Sequence, residues 1–364
     1  MSGPTLTSHE SLDALPPSAR DLFERAGAEN LFSSLPWFES FVAAALPQGA
    51  RPFFLVLAGA DGRVQAILPC QRVSQDGERG PGDAAVSSLT SFYSCDFRPV
   101  IAGDVDPKAT AFALGRAGAR HLASEPVVRF DSLDSTLPIL EPFLAGLSCP
   151  GRAILRYGHF GRWWEALNGS TFEEYLSRRD GALRETIRRK GARLERAGAV
   201  MSMVGLDGGD LPTEVAQAIA DYETVYAASW KEAEPFPAFQ PTLMQALNAA
   251  GWLRLALLKM GDRPIAAQLW VVIGRTATVL KLAHDREFDA QSPGTVLTAF
   301  AIRTLMATDG IDRLDFGRGD DPYKCAWTTN RTAHIGVLWT SIARRPLLVA
   351  RHLAGALRRT RPEA

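Results

Sequence analysis

The feature that most restricts how this chain can fold is a recurrence. An apolar run Phe53–Ala58, a turn Gly59-Ala60-Asp61-Gly62 and the run Arg63–Val73 are matched later by Leu253–Met260, Gly261-Asp262-Arg263-Pro264 and Ile265–Ile273. Each set reads as a β-hairpin, because Val64, Ala66 and Leu68 in one and Ile265, Ala267, Leu269 and Val271 in the other share a face of a pleated strand. Helical patterns containing a tryptophan precede both. Before the first lie Leu22, Phe23 and Ala26, then, past Pro36, Trp37, Phe38, Phe41, Val42 and Ala45; before the second lie Val215, Ile219, Tyr222 and Tyr226, then Trp230. The chain therefore reads as two copies of one α/β plan, and its 364 residues suit two domains better than one.

Composition narrows the class. Hydrophobic residues at 46% and charged residues at 22% are ordinary for a globular protein with sizeable cores. Lysine plus arginine equals aspartate plus glutamate at 40 each, so no global field demands nucleic acid or membrane as a partner. The four cysteines, Cys70, Cys95, Cys149 and Cys325, lack metal-ligand spacing, so reduced thiols are expected and neither a disulfide framework nor a metal. The start, Met-Ser-Gly-Pro-Thr, has no basic region followed by an apolar one, and Ile265–Ile273 is far too short to cross a bilayer, which predicts a cytoplasmic protein. Residues 344–364 form a basic amphipathic tail with Leu347, Leu348, Val349, Leu353 and Leu357. It is expected to pack on the body of the protein, with weak peripheral contact to an anionic membrane as the alternative.

Between the hairpins, Gln75–Asp83 reads as a polar loop, Lys108–Ala123 and Leu137–Leu147 as helices and Val127–Leu133 as a strand, and Cys149–Leu167 closes the first domain. Domains of residues 1–168 and 169–343 follow from this, ahead of the tail. Residues 171–197 read as one helix with Leu176, Leu183, Ile187 and Leu194 on its apolar side. Its other face carries Arg178, Arg179, Arg184, Arg188, Arg189, Lys190, Arg193 and Arg196 against Asp180, Glu185 and Glu195. Such a face either holds a phosphate-bearing ligand or is simply solvated.

The chemistry is concentrated late in the chain. After the strand Thr278–Ala283 and the polar His284–Gln291, the turn Ser292-Pro293-Gly294-Thr295 opens an apolar helix that runs through Met306 and stops at Gly310. Free N–H groups and the positive end of the helix dipole suit this turn to a phosphate; an ordinary N-cap, with Ser292 capping and Pro293 in the first helical position, explains it equally well. The run Ile311–Phe316 then ends in Gly317-Arg318-Gly319, followed by Asp320, Asp321, Tyr323, Lys324, Cys325 and Trp327.

This order, Ser292-Pro293-Gly294, a helix, Gly310, then Asp315-Phe316-Gly317-Arg318-Gly319-Asp320 with Tyr323-Lys324 and Trp327, resembles the GNAT-superfamily acyltransferases of the CelD/BcsL type, relatives of the Fem-like aminoacyltransferases. The resemblance runs from Asn30-Leu31-Phe32 and Pro36-Trp37 to Trp339 and is most specific between His284 and Trp327. It implies two tandem GNAT-like α/β domains with mixed, largely antiparallel sheets flanked by helices. The first is a supporting domain that shapes the acceptor cleft and the second holds the acyl donor. The implied donor is acyl-CoA, acetyl-CoA or a longer one, lying between splayed strands Thr278–Ala283 and Ile311–Phe316. Its pyrophosphate would meet Gln291, Ser292, Pro293, Gly294 and Thr295, with Gly317, Arg318 and Gly319 also on the donor side. The usual pyrophosphate signature with alternating glycines is absent, since this turn has one glycine.

Direct acyl transfer needs a base for the acceptor proton, a donor for the oxyanion and an acid for the leaving thiolate. Tyr323 is the candidate acid. Asp320 is the preferred base because it follows the flexible glycine turn, with Asp315 and the pair His284-Asp285 as alternatives. Lys324 and Arg318 would hold donor phosphates or an acidic acceptor, or else form surface salt bridges with Asp320, Asp321 or Glu287; Cys325 is expected to be a packed neighbour and not a nucleophile. The leading expectation is an acyl-CoA-dependent N- or O-acyltransferase whose acceptor class, a sugar or polysaccharide precursor, comes from the resemblance. Two alternatives stand beside it: aminoacyl transfer from charged tRNA, the one case in which nucleic acid would be a partner, and a noncatalytic scaffold that keeps the fold. Oligomeric state is left open.

Overall fold

The computed structural model describes residues 3–73, 84–206 and 212–359. The polar loop at Gln75–Asp83 and the end of the tail lie outside them. Strand β1 (Thr5–His9) leads to helices α1 (Pro17–Gly27) and α2 (Leu35–Ala44), hairpin β2 (Arg51–Ala58) and β3 (Val64–Arg72), short strands β4 (Val86–Ser88) and β5 (Val100–Ile101), helix α3 (Pro107–His121), strand β6 (Val127–Asp134), helix α4 (Leu140–Leu147) and strand β7 (Arg152–Ala166). Then come α5 (Phe172–Ser177), α6 (Gly181–Arg196), β8 (Ala199–Val204), α7 (Pro212–Ala227), α8 (Phe239–Ala249), hairpin β9 (Leu253–Met260) and β10 (Arg263–Ile273), and β11 (Thr276–His284). The chain ends with α9 (Pro293–Thr308), β12 (Arg313–Arg318), α10 (Pro322–Trp327), β13 (Asn330–Ser341) and α11 (Pro346–Arg359).

Two compact units emerge: Met1–Val42 with Leu46–Gly161 and Thr332–Ala364, and Ala43–Ala45 with Arg162–Arg331. The boundary expected after residue 168 falls instead within β7. Strand β13, which lies within the expected second domain of residues 169–343, belongs mainly to the first unit because it pairs antiparallel with β6, His334 opposite Asp134 and Thr340 opposite Val127. The first unit orders its strands β1-β2-β3-β4-β6-β13-β7, with β5 beside β3; the second runs from the end of β7 through β12-β11-β10-β9 to β8.

Both units repeat one path, as the hairpin recurrence predicts: a strand, two helices, an antiparallel hairpin, a third strand, a helix, and a fourth strand parallel to the third. The parallel pairs are β4 with β6, Val86 opposite Val128, and β11 with β12, Thr276 opposite Arg313. A parallel pair requires a crossover longer than a turn, and α3 and α9 provide it. The remaining pairs described are antiparallel, apart from an isolated bridge between Phe97 and Leu133, so each sheet is mixed and mostly antiparallel, with helices against it.

In the first unit, Leu55, Leu57, Leu68 and Phe130 of the sheet pack with Leu114 of α3, Phe143 of α4 and Trp339. Helices α3 and α4 cross closely through Gly115 and Gly146, where an added Cβ would come within 2.3 Å of the Phe143 carbonyl and 2.2 Å of the Phe112 carbonyl. Any side chain there would force the helices apart. In the second unit, Trp270, Leu297, Ile302, Leu314, Phe316 and Trp327 form the core, with Leu183 and Ile187 of α6 packed on it.

Three local expectations change. Strand β10 is buried from Pro264 to Ile273 and not on one face alone, because α7 and α9 both pack on it. The helix expected over 171–197 is two helices. The break at Arg178–Asp180 lets Thr171 build a capping box on α5 and lets Asp180 cap α6 through Ala182 N at 2.7 Å. Residues 322–327, for which no helix was expected, form the short helix α10 because Asp321 accepts from Tyr323 N at 2.9 Å and Pro322 occupies its first position. In the tail, Leu348 and Val349 pack against Val127, Leu155 and Leu338 of the first unit, while Leu347 is exposed. Among the described residues no helix is long and apolar enough to cross a membrane.

Candidate functional site

The second unit opens its sheet where the donor strands were expected. Strands β11 and β12 pair only at Thr276–Thr278 opposite Arg313–Asp315; beyond that the ladder stops. Two irregularities accompany the opening. Against β10, Lys281 faces Leu269 and Val279 faces Trp270, so Leu280 is an extra residue that bulges β11. On the other side, β12 loses register with β7 between Asp315 and Arg318, where Gly317 has φ 64°. Gly319 follows at φ 105°, and both values are ones that a side chain resists.

Helix α9 begins at the far end of β11. Asp285 accepts from Glu287 N at 3.0 Å and starts a 3-10 turn, Arg286–Gln291, after which Ser292 adopts the left-handed conformation, φ 51°, ψ 48°. Pro293 holds the first helical position as predicted, but Ser292 makes no side-chain cap. The first helical bond is from Val296 N to Ser292 O at 3.2 Å, so the N–H groups of Gly294 and Thr295 precede it and face out from the positive end of the dipole. The equivalent helix of the first unit, α3, differs: Asp106 accepts from both Lys108 N and Ala109 N, which puts a carboxylate where an anionic ligand would sit. Of this pair, only α9 begins without a side-chain cap.

Tyr323 lies in the same region. Its hydroxyl hydrogen-bonds Thr298 Oγ1 on α9; Thr298 in turn donates to the Gly294 carbonyl at 2.9 Å. Gln268 Nε2 bonds Thr298 Oγ1 at 2.7 Å and the Gly294 carbonyl at 3.0 Å, and Trp270 Nε1 donates to Gln268 Oε1 at 3.0 Å. Part of the ring reaches the surface while the hydroxyl is enclosed among Phe316, Trp327 and α9. Enclosure raises the phenol pKa, Asp321 adds to the rise, and hydrogen bonds to Thr298 and from the Trp327 side oppose it. The phenol therefore stays protonated at neutral pH.

The candidate bases are sorted by their partners. Asp315 is buried, receives Arg162 Nε at 2.7 Å and caps Gly317 N at 2.8 Å; it holds the bulge and does not face the opening as a free carboxylate. Asp285 pairs with Arg263 at 2.5 Å besides its capping role. Asp320, the preferred base from sequence, lies exposed with Arg331 on both oxygens at 2.6 and 2.9 Å and Trp163 Nε1 at 3.0 Å. Each is paired with an arginine. His284 is different: Nε2 lies 2.8 Å from Asp289 Oδ1, its ring packs on Trp230 at 4.5 Å, and Nδ1 would be 3.2 Å from a Cβ on Gly294. It is an imidazole oriented by a carboxylate with its other nitrogen towards the start of α9.

The remaining predicted residues scatter. Lys324 donates to the Arg318 carbonyl and lies 3.6 Å from the Cβ position of Gly319, so it buttresses the glycine turn. Gln291 is half-buried, with an amide oxygen that has no partner among the described residues. Cys325 is exposed and not packed, with Sγ towards the Asp321 carbonyl, because α10 is a single surface turn. Arg179, counted on a basic face, is buried against Glu165. Sequence reading passed over Gln268, Thr298, Glu165 and Lys231. A polar residue inside the apolar run Ile265–Ile273, and a threonine four positions after Gly294 on an apolar helix, were the available signals. Among the described residues no cluster of metal-ligating side chains occurs.

Residues 181–325 match the family model of the acetyltransferase (GNAT) domain, a segment from α6 into α10 that contains the Tyr323 network and the α9 start. No curated protein matches the chain. Among solved structures, FemX is 12% identical over 95% of this chain and 100% of its own, with a TM-score of 0.59. A conserved protein of unknown function from Bacteroides thetaiotaomicron VPI-5482 is 11% identical over 92% and 100%, at 0.56. L-PGS from Bacillus licheniformis is 12% identical over 94% and 97%, at 0.51. At these identities the likeness is one of fold. The chain folds as two tandem GNAT-like units, and the second carries the acetyltransferase-domain match.

Proposed function

We propose that the chain is an acyltransferase that moves an acyl group from acyl-CoA to an amine or hydroxyl acceptor. The observation that carries this reading is the parting of β11 from β12 beside an uncapped α9 start, with the Tyr323 hydroxyl at the same helix. A pantetheine arm would lie along the freed edge of β11, and its phosphates would meet the amides of Gly294 and Thr295. His284, oriented by Asp289, takes the proton from the acceptor nitrogen or oxygen as it attacks the thioester carbonyl. The C–S bond of the tetrahedral intermediate then breaks, and Tyr323 gives its phenolic proton to the leaving thiolate. The products are the acylated acceptor and CoA thiol. A sugar or polysaccharide precursor remains the acceptor class that the CelD/BcsL resemblance suggests.

A second reading keeps this chemistry and replaces the thioester by an aminoacyl ester on tRNA. The exposed Arg184, Arg189, Arg193 and Arg196 of α6 favour it. Release of free thiol from acetyl-CoA and longer acyl-CoAs, with amino-sugar and hydroxyl acceptors, separates the two. The expected result is acceptor-dependent thiol release. Silence with every acyl-CoA, together with salt-sensitive binding of charged tRNA, would transfer the assignment to the second reading; silence with both would leave a scaffold.

A further inference from the structure

Beside the Tyr323 network the second unit gathers three lysines from separate elements. Lys231 comes from the segment between α7 and α8, Lys281 from β11 and Lys324 from α10. The two acids that face them are already engaged. Glu234 receives Lys281 Nζ at 2.5 Å and the Tyr226 hydroxyl at 2.5 Å, and Asp321 Oδ1 caps Tyr323 N. The Lys231 ammonium lies over the rings of Trp230 and Tyr226 at 5.7 and 6.0 Å, half-buried, with no ion pair or hydrogen bond to it among the described residues. Lys281 Nζ approaches the same Tyr226 ring at 5.8 Å.

A half-buried ammonium beside two others is costly unless an anion is supplied. Its proton is held loosely: burial first, then Lys281 and Lys324, bring the Lys231 pKa down to about 8, against the pull of Glu234 and Asp321. Such a place is a seat for a negative group that arrives with a ligand. Its location says which ligand. Trp230 packs on His284, and Asp321 and Lys324 flank Tyr323, so the seat adjoins the proposed base and acid, not the amides of Gly294 and Thr295 kept for the donor phosphates.

We infer that the acceptor carries an anionic substituent, a carboxylate or a phosphate ester, which Lys231 receives beside Lys281 so that the acceptor nucleophile lies at His284. The inference rests on the acyl-transfer reading for the reaction, while the anion seat itself rests on the lysines. The probes are glucosamine and glucosamine 6-phosphate, with acetyl-CoA as donor, and glucuronate for the carboxylate case. Wild-type protein is expected to favour glucosamine 6-phosphate over glucosamine in kcat/KM by about tenfold or more, and Lys231→Met to abolish that preference while binding CoA normally.

Equal rates in the wild type for glucosamine, glucosamine 6-phosphate and glucuronate would overturn the inference. So would a Lys231→Met protein that loses affinity for CoA, since the seat would then belong to the donor. If no thiol is released with any acceptor, the acyl-transfer reading has failed, and calorimetry decides the seat alone. Binding of glucosamine 6-phosphate or glucuronate that Lys231→Met removes upholds it, and absence of binding by both rejects it.

Discussion

Tyr323→Phe is expected to lower kcat for acyl transfer by about 10²–10³-fold while leaving CoA affinity and the melting temperature nearly unchanged. The change removes one oxygen. Phenylalanine keeps the ring contacts with Phe316 and Trp327, and Thr298 keeps its bonds to the Gly294 carbonyl and Gln268, so no buried group is left without a partner. What disappears is the proton for the leaving thiolate. Steady-state kinetics with acetyl-CoA and a loss in kcat, not KM, would mark an interaction made in the transition state. An equal kcat for the variant would remove Tyr323 from the mechanism.

Glu165→Ala should strongly destabilise the second unit. Glu165 and Arg179 side chains are 8% and 4% exposed and meet at 3.1 Å. The same carboxylate accepts from Thr329 N and Thr329 Oγ1, each at 2.7 Å, while Arg179 also reaches the Trp327 carbonyl at 3.2 Å, which Tyr175 bonds at 2.7 Å. One carboxylate thus ties the end of β7 to the break between α5 and α6 and to the chain leaving α10. Its loss strands a buried guanidinium and an amide, a combination that costs about 3–5 kcal/mol. Urea denaturation should show a loss of unfolding free energy of that size, with Glu165→Gln between the variant and the wild type because it keeps an acceptor. A cost under about 1 kcal/mol would mean that the pair is not buried as described.

These two residues also show what a sequence can disclose. Tyr323 was legible because it follows a glycine turn at the end of a strand, and the doubled hairpin announced two units of one path. Glu165 was not, since its meaning comes from Arg179, which looked like one more cation on a long basic helix until the chain broke at Arg178–Asp180. The partners of Asp315, Asp285 and Asp320 were not legible for a related reason: Arg162, Arg263 and Arg331 lie at positions that no local pattern links to them. Gln268 and Thr298 meet across strand and helix, and Lys231 acquires its character only beside Lys281 and Lys324. Spacing reports faces of one element; charge partners come from the pairing of several.

In the acyltransferase reading proposed above, the second unit holds an acyl thioester where β11 leaves β12. A crystal structure with acetyl-CoA bound tests it most directly. The predicted result has the pantetheine beside β11 near the Leu280 bulge, the phosphates on the amides of Gly294 and Thr295, and the thioester sulfur within hydrogen-bond reach of the Tyr323 hydroxyl. CoA bound elsewhere in the chain, or a sulfur remote from Tyr323, would contradict it.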